Sequence, residues 1–129
     1  MNAIGFQSMY APLRRLLLKH PRQAFINQAN IDLQWQGLNY LGCPDFENAI
    51  REYDRFVELL DQFKPEIHFA PATENTGLDS LYVHDPLVVT ERGVILANMG
   101  KSARLPEPFA AGKYLAELGL PLQYENMRS

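Results

Sequence analysis

A helical amphipathic run followed by a proline-marked strand pattern occurs twice in this chain, and that repetition restricts the possible folds more than any other feature. In the first copy Phe46, Ala49, Ile50, Tyr53, Phe56, Val57, Leu60 and Phe63 recur at three- and four-residue steps, the spacing of a helix with one buried face. Pro44 and Asp45 stand where a helix start tolerates a missing donor and favours negative charge, and Lys64-Pro65 ends the run. Glu47 and Arg51 form an i,i+4 pair on its polar side. Glu66 to Pro71 alternates well enough to be a strand packed on that helix. In the second copy Pro106 to Leu118 predicts a helix with Phe109, Tyr114, Leu115 and Leu118 on one side and Gly119 as terminator, followed by a strand from Pro121 to Asn126. Between the copies Asp79 to Pro86, Leu87 to Thr90 and Val94 to Asn98 read as strands, the last two joined by a tight Glu91-Arg92-Gly93 turn into a hairpin. The expected fold is α/β, with two main helices, a mixed sheet, about two αβ units and sheet edges that need covering.

Upstream, Tyr10 to His20 reads as a buried strand closed by Pro21. Pro21 to Gly42 shows no sustained period, so a long loop is expected there. Loops beyond about 12–15 residues without structure of their own are commonly lids or binding loops, and Trp35 and Tyr40 argue against disorder.

A chain of 129 residues with 47% hydrophobic and 21% charged residues suits one compact domain. Its net charge of −3 offers no electrostatic footprint for nucleic acid. A single cysteine, Cys43, excludes an internal disulfide and fits a reducing cytoplasm. Leu16-Leu17-Leu18 is too short for a signal-peptide core, and no segment approaches the roughly 18 apolar residues of a membrane span. A soluble cytoplasmic protein with neither nucleic acid nor membrane as partner is therefore expected.

Chemistry concentrates in Asp79-Ser-Leu-Tyr-Val-His-Asp-Pro86 and Met99-Gly-Lys-Ser-Ala-Arg104. Two carboxylates and a guanidinium near one sheet edge suit a small ligand that carries both a cation and a carboxylate. On a straight strand Asp79 and Asp85 share a face but lie about 20 Å apart, so one ligand reaches both only if the chain bends, and Thr76-Gly77 marks a place for that. Asp85 in an apolar run needs either a neighbouring arginine or a ligand cation; Asp79 could equally cap a turn. Arg104 can fork onto a carboxylate or sit on the surface as an ordinary arginine. His84 beside Asp85 could shuttle a proton, whereas His20, His68 and His84 match no metal motif, and no metal or cofactor is expected. Cys43 precedes a helix start, a place that acidifies a thiol, yet no paired base is placed near it, so it reads as a loop cysteine.

Taken together, Tyr10-Ala-Pro-Leu-Arg-Arg, Gly42-Cys-Pro-Asp-Phe, Glu52-Tyr-Asp-Arg-Phe, Asp79 to Pro86 and Met99 to Arg104 resemble the N-terminal part of the dimethylarginine dimethylaminohydrolases, within the guanidino-modifying enzymes that include amidinotransferases and arginine deiminases. The resemblance implies a partial α/β propeller of the pentein type, with residues 1–129 as the N-terminal portion of one domain and 22–42 as a lid loop over the channel. It implies that Asp85 binds a substrate guanidinium, Asp79 the substrate amino group and Arg104 the substrate carboxylate, with Tyr82 and His84 along the channel. His84 departs from the acidic residue usual in that family, which leaves the substrate open. The family's nucleophilic cysteine, histidine and Glu-Gly-Gly-Asp-like motif have no counterparts here, so this chain alone is expected to be inactive. The leading reading is thus the substrate-binding part of a cysteine-dependent amidinohydrolase or amidinotransferase acting on an arginine-like compound. Its partners would be that substrate and either a C-terminal segment or a second copy at the open edges. The alternative is a short, non-catalytic half-propeller that serves binding or assembly.

Overall fold

The computed structural model describes residues 14–73, 75–90, 93–97, 99–120 and 122–124. Strand β1 (Arg15–Leu18) runs through helices α1 (Pro21–Phe25), α2 (Gln28–Gln34) and α3 (Phe46–Asp61) into β2 (Glu66–Phe69). After a short 3-10 helix at Leu78–Leu81 come β3 (Leu87–Thr90) and β4 (Gly93–Leu96), a second 3-10 turn at Ser102–Arg104, helix α4 (Glu107–Glu117) and β5 (Leu122–Tyr124).

The two sequence copies become two βαβ units. β1 and β2 pair in parallel, from Arg15 opposite Glu66 to Leu18 opposite Phe69, with the three helices as the crossover. In the second unit β4 pairs in parallel with β5 across α4, while β3 and β4 form the antiparallel hairpin, giving the order β3-β4-β5. Parallel strands require such a long crossover, and the helix it carries covers the sheet. Gly112 lets α4 approach β4 closely, since a Cβ there would come within 2.8 Å of the Leu96 side chain. Gly119 ends the helix at φ 96°, as its position predicted.

Two apolar clusters hold these units. Ala24, Phe25, Ile31, Leu38 and Leu78 pack under α1 and α2, with Trp35 and Tyr40 against them. Leu87, Val94, Leu96, Leu115 and Leu120 pack beneath α4, where Leu17 of β1 joins the second cluster.

Several expectations are corrected. There are four α-helices rather than two. The supposed loop from Pro21 to Gly42 contains α1 and α2, which are too short to show a hydrophobic period. Their local caps hold them instead: His20 Nδ1 accepts from Arg22 N at 3.1 Å, and Asn27 Oδ1 from Asn30 N at 2.8 Å. Asp79 to Pro86 is not a strand; a 3-10 turn begins after Gly77 and irregular turns lead into β3. β1 is half-exposed instead of buried and is only Arg15–Leu18, and Tyr10 to Leu13 lie outside the described residues. On α3 only Ile50 is buried, and Phe56, Leu59 and the following Phe63 are exposed. Arg51 donates to Asn48 Oδ1 at 3.1 Å rather than pairing with Glu47. The Glu91-Arg92 turn, Asn98 and the Pro121, Glu125 and Asn126 ends of the last strand also lie outside the described residues.

Candidate functional site

The 3-10 turn that carries Asp79 is fixed from α2. Gln34 Oε1 accepts from Leu78 N at 3.1 Å, an approach open because residue 77 is glycine; a Cβ there would lie 2.5 Å from that oxygen. Gln28, one helical stretch earlier, ties α2 to the start of α3 by accepting from Phe46 N at 2.7 Å and donating to Pro44 O at 2.9 Å. A pair of glutamines thus converts a polar, aperiodic segment into a rigid support for the site.

Asp79 is 3% exposed, and its Oδ2 lies 2.8 Å from Lys101 Nζ. The same ammonium donates to the Leu38 carbonyl at 2.8 Å. Lys101 therefore joins the segment after α2 to the buried carboxylate.

Arg104 sits on the second 3-10 turn, 8% exposed. Its Nη1 reaches Asp85 Oδ2 at 2.8 Å and its Nη2 the Tyr82 carbonyl at 3.2 Å. Nε lies 3.0 and 3.1 Å from the two oxygens of Glu107, and Nη2 lies 2.7 Å from Glu107 Oε1. Glu107 is the first residue of α4 and 3% exposed, where the helix N-terminus favours a carboxylate. Burial lowers the affinity of Arg104 for its proton, but the bonds to Glu107 and Asp85 outweigh it and hold the guanidinium charged, above the usual arginine range.

The structure thus joins Arg104 to Asp85 and Asp79 to Lys101. The two-nitrogen edge of Arg104 is spent on Glu107, leaving Nη1 as the side from which a further acceptor can be met. Asp85 is half-exposed, and its Oδ1 makes no hydrogen bond to the described residues. Tyr82 and His84 are exposed beside it.

Tyr40 lies near Asp79, Tyr82 and Arg104. Its hydroxyl is fully buried and makes no hydrogen bond of normal geometry with the described residues. Burial, then a hydrogen-bonding approach to Asp79 and the charge of that carboxylate, push this phenol well above its ordinary range; Tyr82 adds to the shift and Arg104 opposes it. Lys19, near Glu107, is 4% exposed and donates to Thr76 Oγ1 at 3.3 Å. Burial pulls its pKa down, and the charge of Glu107 opposes that shift.

Sequence reasoning passed over Glu107, Lys101 and Tyr40 as site residues. Glu107 reads as an ordinary first-turn acid. Lys101 lies inside the quoted Met99 to Arg104 stretch without a role. The only available signal for Tyr40 was an aromatic residue in a polar segment.

Cys43 is not activated. Its Sγ lies 3.3 Å from Asp32 Oδ1, and desolvation, then the hydrogen bond and charge of Asp32, push the thiol up. His20 pairs with Asp54 at 2.8 Å and His68 with Glu66, both away from Cys43. Among the described residues no group of three His, Cys, Asp or Glu side chains could hold a metal ion. No helix among them is long and apolar enough to cross a membrane.

No protein-family model matches the sequence. The chain is 29% identical over 69 residues to the N(G),N(G)-dimethylarginine dimethylaminohydrolase of Pseudomonas aeruginosa, an alignment covering 54% of this chain and 27% of that enzyme. It matches a crystal structure of the Pseudomonas aeruginosa enzyme complexed with citrulline with a TM-score of 0.68 at 20% identity, over 92% of this chain and 43% of the other. A dimethylarginine dimethylaminohydrolase adduct with S-methyl-L-thiocitrulline gives 0.67 at 20% identity, over 91% and 42%. The fold is that of part of a dimethylarginine dimethylaminohydrolase. The likeness is to the family's architecture, and the chain spans about two fifths of the length of these solved structures. The matched proteins are hydrolases by name, whereas among the described residues here no cysteine, histidine and acid come together as catalytic machinery.

Proposed function

We propose that this chain is a non-catalytic binding unit for an arginine-like amino acid, built on the substrate-holding part of the dimethylarginine dimethylaminohydrolase fold. One observation supports the reading: Arg104 Nη1 meets Asp85 Oδ2 at 2.8 Å although the two come from separate turns, and the Tyr40 phenol is influenced by both Asp79 and Arg104. Asp85 offers its second oxygen to a guanidinium or ureido group. Asp79 takes an ammonium by exchange with Lys101, whose side chain is 44% exposed and able to swing out. Arg104 offers Nη1 to a carboxylate. Tyr82 and His84 line the approach. Citrulline and S-methyl-L-thiocitrulline, the compounds bound to the related structures, carry this pattern of groups. Turnover by a cysteine-dependent amidinohydrolase or amidinotransferase mechanism requires a nucleophile, and Cys43, pushed up in pKa by its surroundings, does not supply one.

Titration of the chain with L-arginine and L-citrulline, followed by calorimetry and by amide shifts around Asp79 and Arg104, tests this. Saturable binding that Asp85→Asn weakens at least tenfold supports it. Absence of binding at millimolar ligand, or binding indifferent to Asp85→Asn, overturns it.

A second reading, assembly, rests on the apolar face of α3. Phe56 is 44% and Leu59 59% exposed on α3, and Phe63 just beyond its end is 70% exposed, apolar side chains at three- and four-residue steps of the kind that mark a docking face. A native mass above one chain, returned to one chain by Leu59→Lys with Phe63→Glu, supports it; a monomeric parent chain rules it out.

A further inference from the structure

The parallel register of β1 and β2 places Arg15 opposite Glu66 and Leu17 opposite His68. Because strand side chains alternate, these four share one face of the two-stranded sheet. That face does not meet a polar surface. It looks across a cavity of about 360 Å³ at Val89 of β3, at Leu115 of α4, and at Leu118 and Leu120 beyond the helix end. Leu115 and Leu120 are buried, whereas Arg15 and Glu66 are exposed, so the cavity has an apolar floor and a charged mouth. A sheet face that served only to pack would carry apolar side chains here and leave no such space, since protein interiors keep few voids larger than a water molecule. Small-molecule sites have this character, with roughly 300–1,000 Å³ of mostly apolar lining and a few placed polar groups. Neither Asp79, Asp85 nor Arg104 lines the cavity, which is separate from the amino-acid site.

The charges at the mouth select the ligand. Glu66 is already engaged: its Oε2 bonds to His68 Nε2 and lies 3.9 Å from Arg15 Nε. The hydrogen bond from His68, and after it the charge of Arg15, hold this carboxyl below its usual range against an opposing desolvation. A ligand cation would have to displace one of those partners. A ligand anion would not, because a guanidinium has five N–H donors in a fork and can hold Glu66 and a second carboxylate together. The apolar floor takes the rest of the molecule. We propose that this cavity binds a monocarboxylate with an apolar body, such as a medium-chain fatty acid, with its chain against Leu115, Leu118 and Leu120 and its head on Arg15. The proposal stands independently of the amino-acid binding role above.

The probes are sodium octanoate and 1-octanol, which share a chain and differ in the charge of the head. Calorimetry gives the affinity, and methyl shifts of Leu115, Leu118 and Leu120 give the place. Octanoate should bind the 129-residue chain saturably, shift those methyls and bind more tightly than octanol. Arg15 is exposed, so Arg15→Gln should keep the parent's melting temperature; it should weaken octanoate about tenfold, as expected for a bond between charged groups, and leave octanol within about twofold. Leu118→Trp, which fills the cavity, should weaken both. Equal affinity for the two probes, or octanoate binding indifferent to Arg15→Gln, overturns the carboxylate assignment. Binding that survives Leu118→Trp, or that leaves the three leucines unshifted, overturns the site. Methyl shifts that instead follow protein concentration overturn it as well, because a second copy then fills the cavity.

Discussion

Arg104 donates Nε to both carboxylate oxygens of Glu107, at 3.0 and 3.1 Å, and both residues are more than nine-tenths buried. A buried pair of this kind is weak evidence for net stabilisation, but removing one partner strands a charge. Glu107→Leu should therefore cost about 3–5 kcal/mol in urea unfolding. The double variant Arg104→Met with Glu107→Leu should cost clearly less than Glu107→Leu alone, because no buried charge remains and half-exposed Asp85 can be hydrated. A double variant as damaged as the sum of the singles would show that Arg104 also holds the turn through the Tyr82 carbonyl.

Lys101 is the bond between Asp79 and the segment after α2. Lys101→Met leaves Asp79 buried without its ion pair and frees the Leu38 carbonyl, at a cost of about 1–3 kcal/mol. The local signature is more specific than the global one. Amide exchange of Leu38 and Tyr40, which donate to Gln34 O and Trp35 O, should accelerate more than that of the Ile50 turn of α3. Uniform acceleration across both regions would mean that Lys101 contributes only to overall stability.

How much of this was readable in the sequence depends on the length scale of the signal. The repeated helix-then-strand unit, the β3–β4 hairpin and the Gly119 stop are encoded by periodicity and by glycine and proline punctuation, and each was legible from local residues. α1 and α2 were not, because helices of five and seven residues span too few turns to show a period. Their caps, His20 and Asn27, look like any polar loop residue. The carboxylates Asp79 and Asp85 could be selected by composition and resemblance, and an arginine could be expected beside Asp85, but which arginine it is, and that Lys101 pairs with Asp79, could not be read. Lys101 lies 22 residues from Asp79, and Arg104 lies 19 from Asp85. Such pairings come from tertiary folding and leave no local pattern. The exposed Phe56, Leu59 and Phe63 show the converse: an apolar stripe encodes a face that can be covered, not what covers it.

Cys43 should behave as a sluggish thiol. Partial desolvation and the adjacent Asp32 both disfavour the thiolate, the form that reacts. Iodoacetamide labelling of the folded chain at neutral pH should run slower than labelling of the urea-unfolded chain, extrapolated to zero urea. Asp32→Asn, which removes the charge while keeping the shape, should speed it severalfold. Labelling of the parent faster than of the unfolded chain would reverse the assignment and make Cys43 a reactive centre.

Lys19 gives the fold a pH dependence whose sign can be worked out. Its ammonium is buried with one hydrogen bond, to Thr76; Glu107 faces it from α4, and the Tyr53 hydroxyl bonds to its backbone. Burial holds its pKa below the ordinary lysine value of 10.5, so between the folded and the unfolded pKa the unfolded chain binds more protons. Stability contributed by this group therefore rises with pH across that window, and the penalty is fully present below the folded pKa. Lys19→Met removes the penalty while preserving most of the apolar stem, so at neutral pH it should stabilise the chain by about 1 kcal/mol or more. That advantage should shrink as the pH rises through the folded pKa towards the unfolded one, since the parent lysine then becomes neutral and costs less to bury. Parallel urea titrations of the parent and Lys19→Met from neutral to alkaline pH measure the difference directly, and titrations common to both proteins cancel in it. A Met variant less stable at neutral pH would mean that attraction to Glu107 outweighs desolvation, and that the site's buried carboxylate is shared between Lys19 and Arg104.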